Sequence, residues 1–213
     1  MLRLRTFGGL EVTRDRVTLT GAATQRRPLA LLAIVAASPH GCTREDLLLH
    51  LWPDSTPERA RNVLRQTIYA LRRDLGTHDL FLGEHQLLLN SAVISSDVGE
   101  FENALEGGDQ ARAVELYGGP FLDGFHLRES PEFEAWRERE VARITGRFLQ
   151  ALRALAQSTT DHEHAIDRWR RMATTDPLDP IAAEGLIDAL AALGDRDAAL
   201  QHARIYELSL IHI

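Results

Sequence analysis

Residues 52–76, WPDSTPERARNVLRQTIYALRRDLG, constrain the fold of this chain more than any other stretch. Ala60, Leu64, Thr67, Ile68, Leu71 and Leu75 recur at helical spacing, so a helix here buries one stripe. Asn62, Arg65, Gln66, Tyr69 and Arg73 fall on the opposite face, flanked by Arg59, Arg61 and Arg72. Pro57 and Glu58 suit a first helical turn, and Thr56 is the expected cap. A face mixing Arg, Asn, Gln and Tyr has the chemistry to read a DNA major groove. Arg forks onto guanine, Asn or Gln onto adenine, and the remaining arginines hold phosphates. The same face also fits a solvated helix laced with charge pairs, so the surrounding sequence has to decide.

The elements around this helix predict a fold. Leu2, Leu4, Phe7, Leu10 and Val12 alternate with polar residues as short strands, and Val17–Leu19 forms another after a turn at Arg14-Asp15. A helix over 25–37 is expected, with Thr24 as cap, and Pro39-His40-Gly41 breaks it. Thr43-Arg44-Glu45-Asp46 opens a second helix that ends at Trp52-Pro53. After the arginine helix, Leu80–Leu82 and Gln86–Asn90 form a hairpin joined by Gly83-Glu84-His85. Strands, three helices and a closing hairpin make a winged helix, whose third helix is the reader and whose hairpin is the wing. Beyond Ser95-Ser96-Asp97 the pattern is helical, over 98–105, 110–116, 132–155, 164–175, 181–193 and 196–207. Ala165-Ile166 recurs as Ala199-Leu200, an offset of 34 that matches tetratricopeptide-type helix pairs. The expected fold is thus mostly α. A winged helix occupies residues 1–96 and an all-α, tetratricopeptide-like domain residues 97–207. Residues 208–213, LSLIHI, break the preceding pattern and are what a common transposon-end adaptor encodes. They are expected to be a non-native tail, with the native protein continuing.

Charge divides along the same line. The net charge of −7 combines 12 Arg against 9 Asp and Glu in residues 1–96 with 12 Arg against 22 Asp and Glu thereafter. The first part can approach a polyanion, whereas the second suits protein contacts. No apolar run approaches the ~20 residues of a membrane span, and the start lacks the apolar core of a secretory signal. The single cysteine, Cys42, excludes an intramolecular disulfide and fits a reducing cytoplasm.

Several segments carry a resemblance to a known family. LRTFGGLEV, RRPLALLAIVA, TREDLLLHLWPD, ERARNVLRQTIYALRRDLG and DVGEFENAL resemble the OmpR-type winged helix of the Streptomyces antibiotic regulatory protein family. LYGGPFLDGF, SPEFEAWRERE and DPLDPIAAEGLIDALAALGD resemble the bacterial transcriptional activator domain that follows it there. The resemblance implies a cytoplasmic activator, nucleoid-associated when bound, that binds promoter repeats in double-stranded DNA as a homodimer and contacts RNA polymerase holoenzyme. By position, Asn62, Arg65, Gln66, Tyr69 and Arg73 would face bases. Arg59, Arg61 and Arg72 would face phosphates, and Pro53, Asp54, Ser55 and Thr56 would touch polymerase. The wing departs from expectation, because Glu84 and His85 at its tip bring no firm positive charge.

Other constellations have plainer readings. Asp161-His162-Glu163-His164 fits no familiar zinc spacing and lies at a helix start, where acids favour the dipole, so no metal is expected. Neither GxxxxGK[ST] nor GxGxxG occurs, so no nucleotide cofactor is expected. No nucleophile, base and acid converge, so no catalytic residue is assigned and an enzyme is not expected. Trp52, Trp136 and Trp169 sit among apolar positions as core anchors. Two alternatives stay open: the front end of a large ATPase-type regulator, and a helical-repeat scaffold that binds protein rather than DNA.

Overall fold

The computed structural model describes residues 1–21 and 24–211, the last without its side chain. Seven strands and nine helices follow one another among the described residues. Strands β1 (Leu2–Arg5), β2 (Glu11–Arg14) and β3 (Val17–Thr18) open the chain, and β7 (Ile94–Ser96) completes their sheet in the order β3-β2-β1-β7. β1 runs antiparallel to β2 and parallel to β7. Helices α1 (Arg26–Ala36), α2 (Arg44–Leu51) and α3 (Pro57–Asp74) come next, with the short strand β4 (Cys42–Thr43) before α2. β5 (Phe81–Leu82) and β6 (Gln86–Leu89) form the hairpin, and β6 pairs with both β4 and β5. The remaining helices are α4 (Asp97–Glu106), α5 (Gln110–Leu116), α6 (Pro131–Ser158), α7 (His162–Thr175), α8 (Pro180–Leu193) and α9 (Arg196–Ile211). The fold is mostly α, with a winged helix followed by a helical domain.

Two compact units emerge, and they do not divide at 96/97. The first contains residues 1–107 and 115–145, the second residues 108–114 and 146–213. The physical reason lies at the end of β1. Asp97, only 5 % exposed, accepts hydrogen bonds from the amides of Thr6, Phe7 and Val98 and from the Thr6 hydroxyl, at 2.6–3.0 Å. A carboxylate can be buried only when its oxygens are satisfied in this way. The next residues, Gly8 and Gly9, lie against Gly118 and Gly119. Gly8 N donates to Pro120 O at 3.0 Å, Leu122 N donates to Thr6 O at 2.8 Å, and Phe7 bridges Phe121. A Cβ on Gly119 would stand 3.2 Å from the Gly8 Cα, so the two glycine pairs set the approach of these backbones. Phe7, Phe101 and Tyr117 then close an aromatic cluster, with ring centroids 5.0–6.2 Å apart.

Local chemistry places the ends of the elements. Thr43 caps α2: its hydroxyl accepts from Asp46 N and donates to the Asp46 carboxylate at 2.6 Å. Two expected caps differ. Thr24 spends its hydroxyl on Gly21 O, and Gln25 holds the N-cap position of α1 without a side-chain bond. Thr56 holds the N-cap of α3 but makes no side-chain bond, and Pro57 at the first position starts that helix instead. The first turn lies at Asp15-Arg16 rather than Arg14-Asp15. Both residues have positive φ, the geometry of a two-residue hairpin turn between the paired Arg14 and Val17.

In the second unit, α7, α8 and α9 pack in sequence. Trp169 lies on Gly185, where a Cβ would come within 2.5 Å of the indole. Asp161 caps α7 by accepting from Glu163 N and His164 N, and Asp179 caps α8 through Ile181 N. The repeat positions are unequal in burial: Ile166 is 5 % exposed and its equivalent Leu200 is 60 %. Trp52, Trp136 and Trp169 are all buried in their own units. Helix α9 continues through Leu208 to Ile211. Residues 212 and 213 of the expected tail lie outside the described residues.

Candidate nucleic-acid interface

Helix α3 buries the stripe expected of it. Ala60, Leu64, Ile68, Leu71 and the C-cap Leu75 are all 7 % exposed or less, and Thr67 is half-buried with its hydroxyl on Val63 O. The stripe packs against α1 and α2. Each large apolar side chain contributes about 1.5–3 kcal/mol by leaving water. This burial, rather than helix propensity, holds α3 in a fixed rotation.

Two contacts finish the helix at its C-terminal end. Gly76, with φ +60°, reverses the chain. Gly76 N then bonds to Arg73 O and Thr77 N to Arg72 O, which satisfies carbonyls the helix leaves open. Arg14, from the β2–β3 hairpin, donates Nη2 to Leu75 O at 2.6 Å. A cation at that end is favoured by the helix dipole. The sequence reading missed Arg14, because its partner lies 61 residues away.

The opposite face projects into solvent. Asn62, Arg65, Gln66, Tyr69 and Arg73 are exposed, as are Arg59 and Arg61. Tyr69 is 68 % exposed, a large open area for an aromatic side chain. From Asn62 to Arg73 the face is about 16 Å long, roughly five base-pair steps. Among the described residues no ion pair or hydrogen bond engages the side chains of Arg59, Arg61 or Arg65. Two arginines are held differently. Arg73 Nε donates to Asp74 Oδ1 at 2.8 Å, and this carboxylate raises the guanidinium pKa. Arg72 is half-buried, and its Nε is enclosed without a partner. Glu58 is also exposed in the first turn of the helix, so its N-terminal end carries one negative charge.

Around the helix, Pro53 and Ser55 are half-buried and Asp54 and Thr56 exposed, with Ser55 N bonded to Trp52 O. The loop is therefore a short turn between α2 and α3. At the hairpin, Gly83 has φ +82°, and a Cβ there would strike Gln86 O at 2.1 Å. Arg44 in the first turn of α2 donates Nε to Glu84 O at 3.2 Å. It brings beside the wing tip a positive charge that the hairpin's own residues lack. Arg44 stands in the TREDLLL segment, and only the pairing of β4 with β6 reveals that it neighbours residue 84.

The chain is similar to known proteins. The family model described as bacterial transcriptional activator domain matches residues 88–209. An uncharacterized 47.3 kDa protein in the thcA 5′ region of Rhodococcus erythropolis is 27% identical over 207 residues, covering 93% of this chain and 44% of its own. The structure of Mycobacterium tuberculosis EmbR in complex with a low affinity phosphopeptide superposes with a TM-score of 0.65 at 19% identity, over 98% of this chain and 59% of that one. The chain thus spans less than two thirds of either relative's length. Among the described residues no helix is long and apolar enough to cross a membrane. With the family model covering more than half of its length, the chain belongs to the bacterial transcriptional activator domain family.

Proposed function

We propose that this chain is a sequence-specific DNA-binding transcriptional activator that sets α3 in the major groove. The observation that carries the reading is the exposed face of α3. Asn62, Arg65, Gln66 and Tyr69 stand there on a helix whose opposite stripe is buried, and among the described residues Arg65 has no ion-pair or hydrogen-bond partner. Arg65 has the donor fork for guanine, and Asn62 and Gln66 have the amide pair for adenine. Arg59 and Arg61, at the edges, take phosphates. Arg72 reaches a phosphate only through its terminal nitrogens, and Arg73 reads a base only after leaving Asp74. In this reading the promoter repeats are bound by a homodimer, the Pro53–Thr56 turn meets RNA polymerase holoenzyme, and the protein works in the cytoplasm, at the nucleoid when bound. The mechanism is binding rather than catalysis.

The test is selection from a pool of random duplex DNA followed by sequencing. It needs the whole chain, because Gly118–Leu122 pair with the backbone after β1 and residues 1–96 alone would lack that support. The expected result is one enriched short motif that an Asn62/Arg65/Gln66 triple alanine variant no longer retains. Retention of DNA without enrichment, or no retention at low salt, rejects the reading.

A further inference from the structure

A second cationic site lies away from α3, where the start of α1 meets the loop before α6. Gln25, Arg26, Arg27 and Pro28 form one wall of a cavity of about 680 Å³, and residues 124 and 126–129 form the other. Three arginines line it, Arg26, Arg27 and Arg128, together with His126. Arg26 is fixed twice over: its Nη1 donates to His126 O at 2.6 Å and its guanidinium lies 5.6 Å from the centre of the Phe125 ring. Both anchors leave further N–H donors free. Arg27 donates Nη2 to Glu129 at 3.0 Å, while its Nε is enclosed without a partner. Glu129 is the one acid of the lining, and its side chain is 78 % exposed. Glu134, the nearby acid on α6, is already occupied by Leu127 N, His126 Nδ1 and Arg137 Nε. Among the lining residues three arginines stand against one carboxylate, whose side chain is largely in solvent.

We propose that this cavity binds a phosphate group carried by a small molecule, with Arg26, Arg27 and Arg128 as its ligands and Glu129 as the carboxylate it displaces from Arg27. Guanidinium forks match phosphate oxygens two at a time, whereas a carboxylate neutralises one guanidinium only. Glu129 already sits on Arg27 as an internal oxyanion, in an exposed pair that is cheap to break. The volume falls in the range of small-molecule sites and is large enough for more than a bare ion. The α1 start adds to the field, for it carries no acid in its first turn and no side-chain cap. The proposal stands independently of the reading of α3.

The experiment is calorimetric titration of the full chain with sodium pyrophosphate, against sodium chloride at matched ionic strength. Amide shifts at Arg26, Arg27, Gly124 and Arg128 are followed by NMR in parallel. Saturable binding is expected, weakened about tenfold or more by Arg128→Gln, an exposed side chain with no packing role, and likewise by Arg26→Gln. Glu129→Gln removes the competing carboxylate and tightens binding. Arg65→Ala leaves it unchanged. Absence of saturable binding, or binding indifferent to Arg128→Gln and Glu129→Gln, overturns the proposal. Competition by random-sequence duplex DNA also overturns it, since the phosphate then belongs to a nucleic-acid backbone.

Discussion

The edge and the centre of the α3 face should fail in different ways, and Arg61 and Arg65 separate them. Both are exposed on the same helix, and neither is spent on an intramolecular partner among the described residues. If Arg61 neutralises one phosphate, replacing it with Ala lowers the slope of log affinity against log salt by about 0.9. Over a rise from about 50 to about 200 mM salt, that contact is worth roughly 3.5-fold in affinity. The parent should therefore lose about 3.5 times more affinity over that range than Arg61→Ala does, on preferred and scrambled duplexes alike. Arg65→Ala should instead cost about 1–3 kcal/mol, roughly 5- to 160-fold, on the preferred duplex and little on the scrambled one. Fluorescence anisotropy titrations of both variants on both duplexes, at several salt concentrations, give all the required numbers. Arg73 supplies an internal control. Asp74 holds its guanidinium, so Asp74→Ala should strengthen binding to scrambled DNA by freeing it. An unchanged slope in Arg61→Ala, or equal losses on both duplexes in Arg65→Ala, would refute these assignments of edge and centre.

Three further outcomes follow from packing and ionisation. Asp97→Ala strips the acceptor from three buried amides and a hydroxyl. It should destabilise the protein by about 3 kcal/mol or more in urea titration, and a loss under 1 kcal/mol would deny the carboxylate its structural role. Gly185→Ala drives a methyl into the Trp169 indole and should lower the melting temperature of the second unit, with overpacking of about 1–3 kcal/mol outweighing the gain of about 1 kcal/mol in helix propensity. Burial pushes the Cys42 thiol from 9.0 up to about 12, so iodoacetamide at pH 8 should label the unfolded chain and spare the native one. Because the folded pKa is raised, the thiol's contribution to stability is complete below 9.0 and declines as pH climbs from there toward 12. A stability that rises with pH over that window in the native protein, but not in Cys42→Ala, would contradict that sign.

The exposed face of α3, the hairpin and the third-helix order were legible from residue spacing, because each depends on neighbours within a few positions. The 3.6-residue period of Leu64, Ile68, Leu71 and Leu75 fixes both the buried stripe and, by geometry, which side chains remain outside. Gly83 marks a reversal for an equally local reason, since it needs positive φ. The Trp residues were readable as core from their apolar surroundings.

Tertiary structure alone decided what the long-range partners are. Asp97 reads as a loop acid until the end of β1 arrives with two amides and a hydroxyl to bury it. FGG and YGGP are ordinary glycine turns until each leaves room for the other. Arg14 gains its meaning from the Leu75 carbonyl, Arg44 from the wing, and Arg26 and Arg128 from a cavity whose walls lie some hundred residues apart. For the same reason Arg73 and Arg72, indistinguishable from Arg65 as letters on a helix face, are respectively paired and half-buried. Periodicity is a one-dimensional signal carried by local backbone geometry. Which distant groups meet, and so which charges are spent and which stay free, is set by packing of the whole unit.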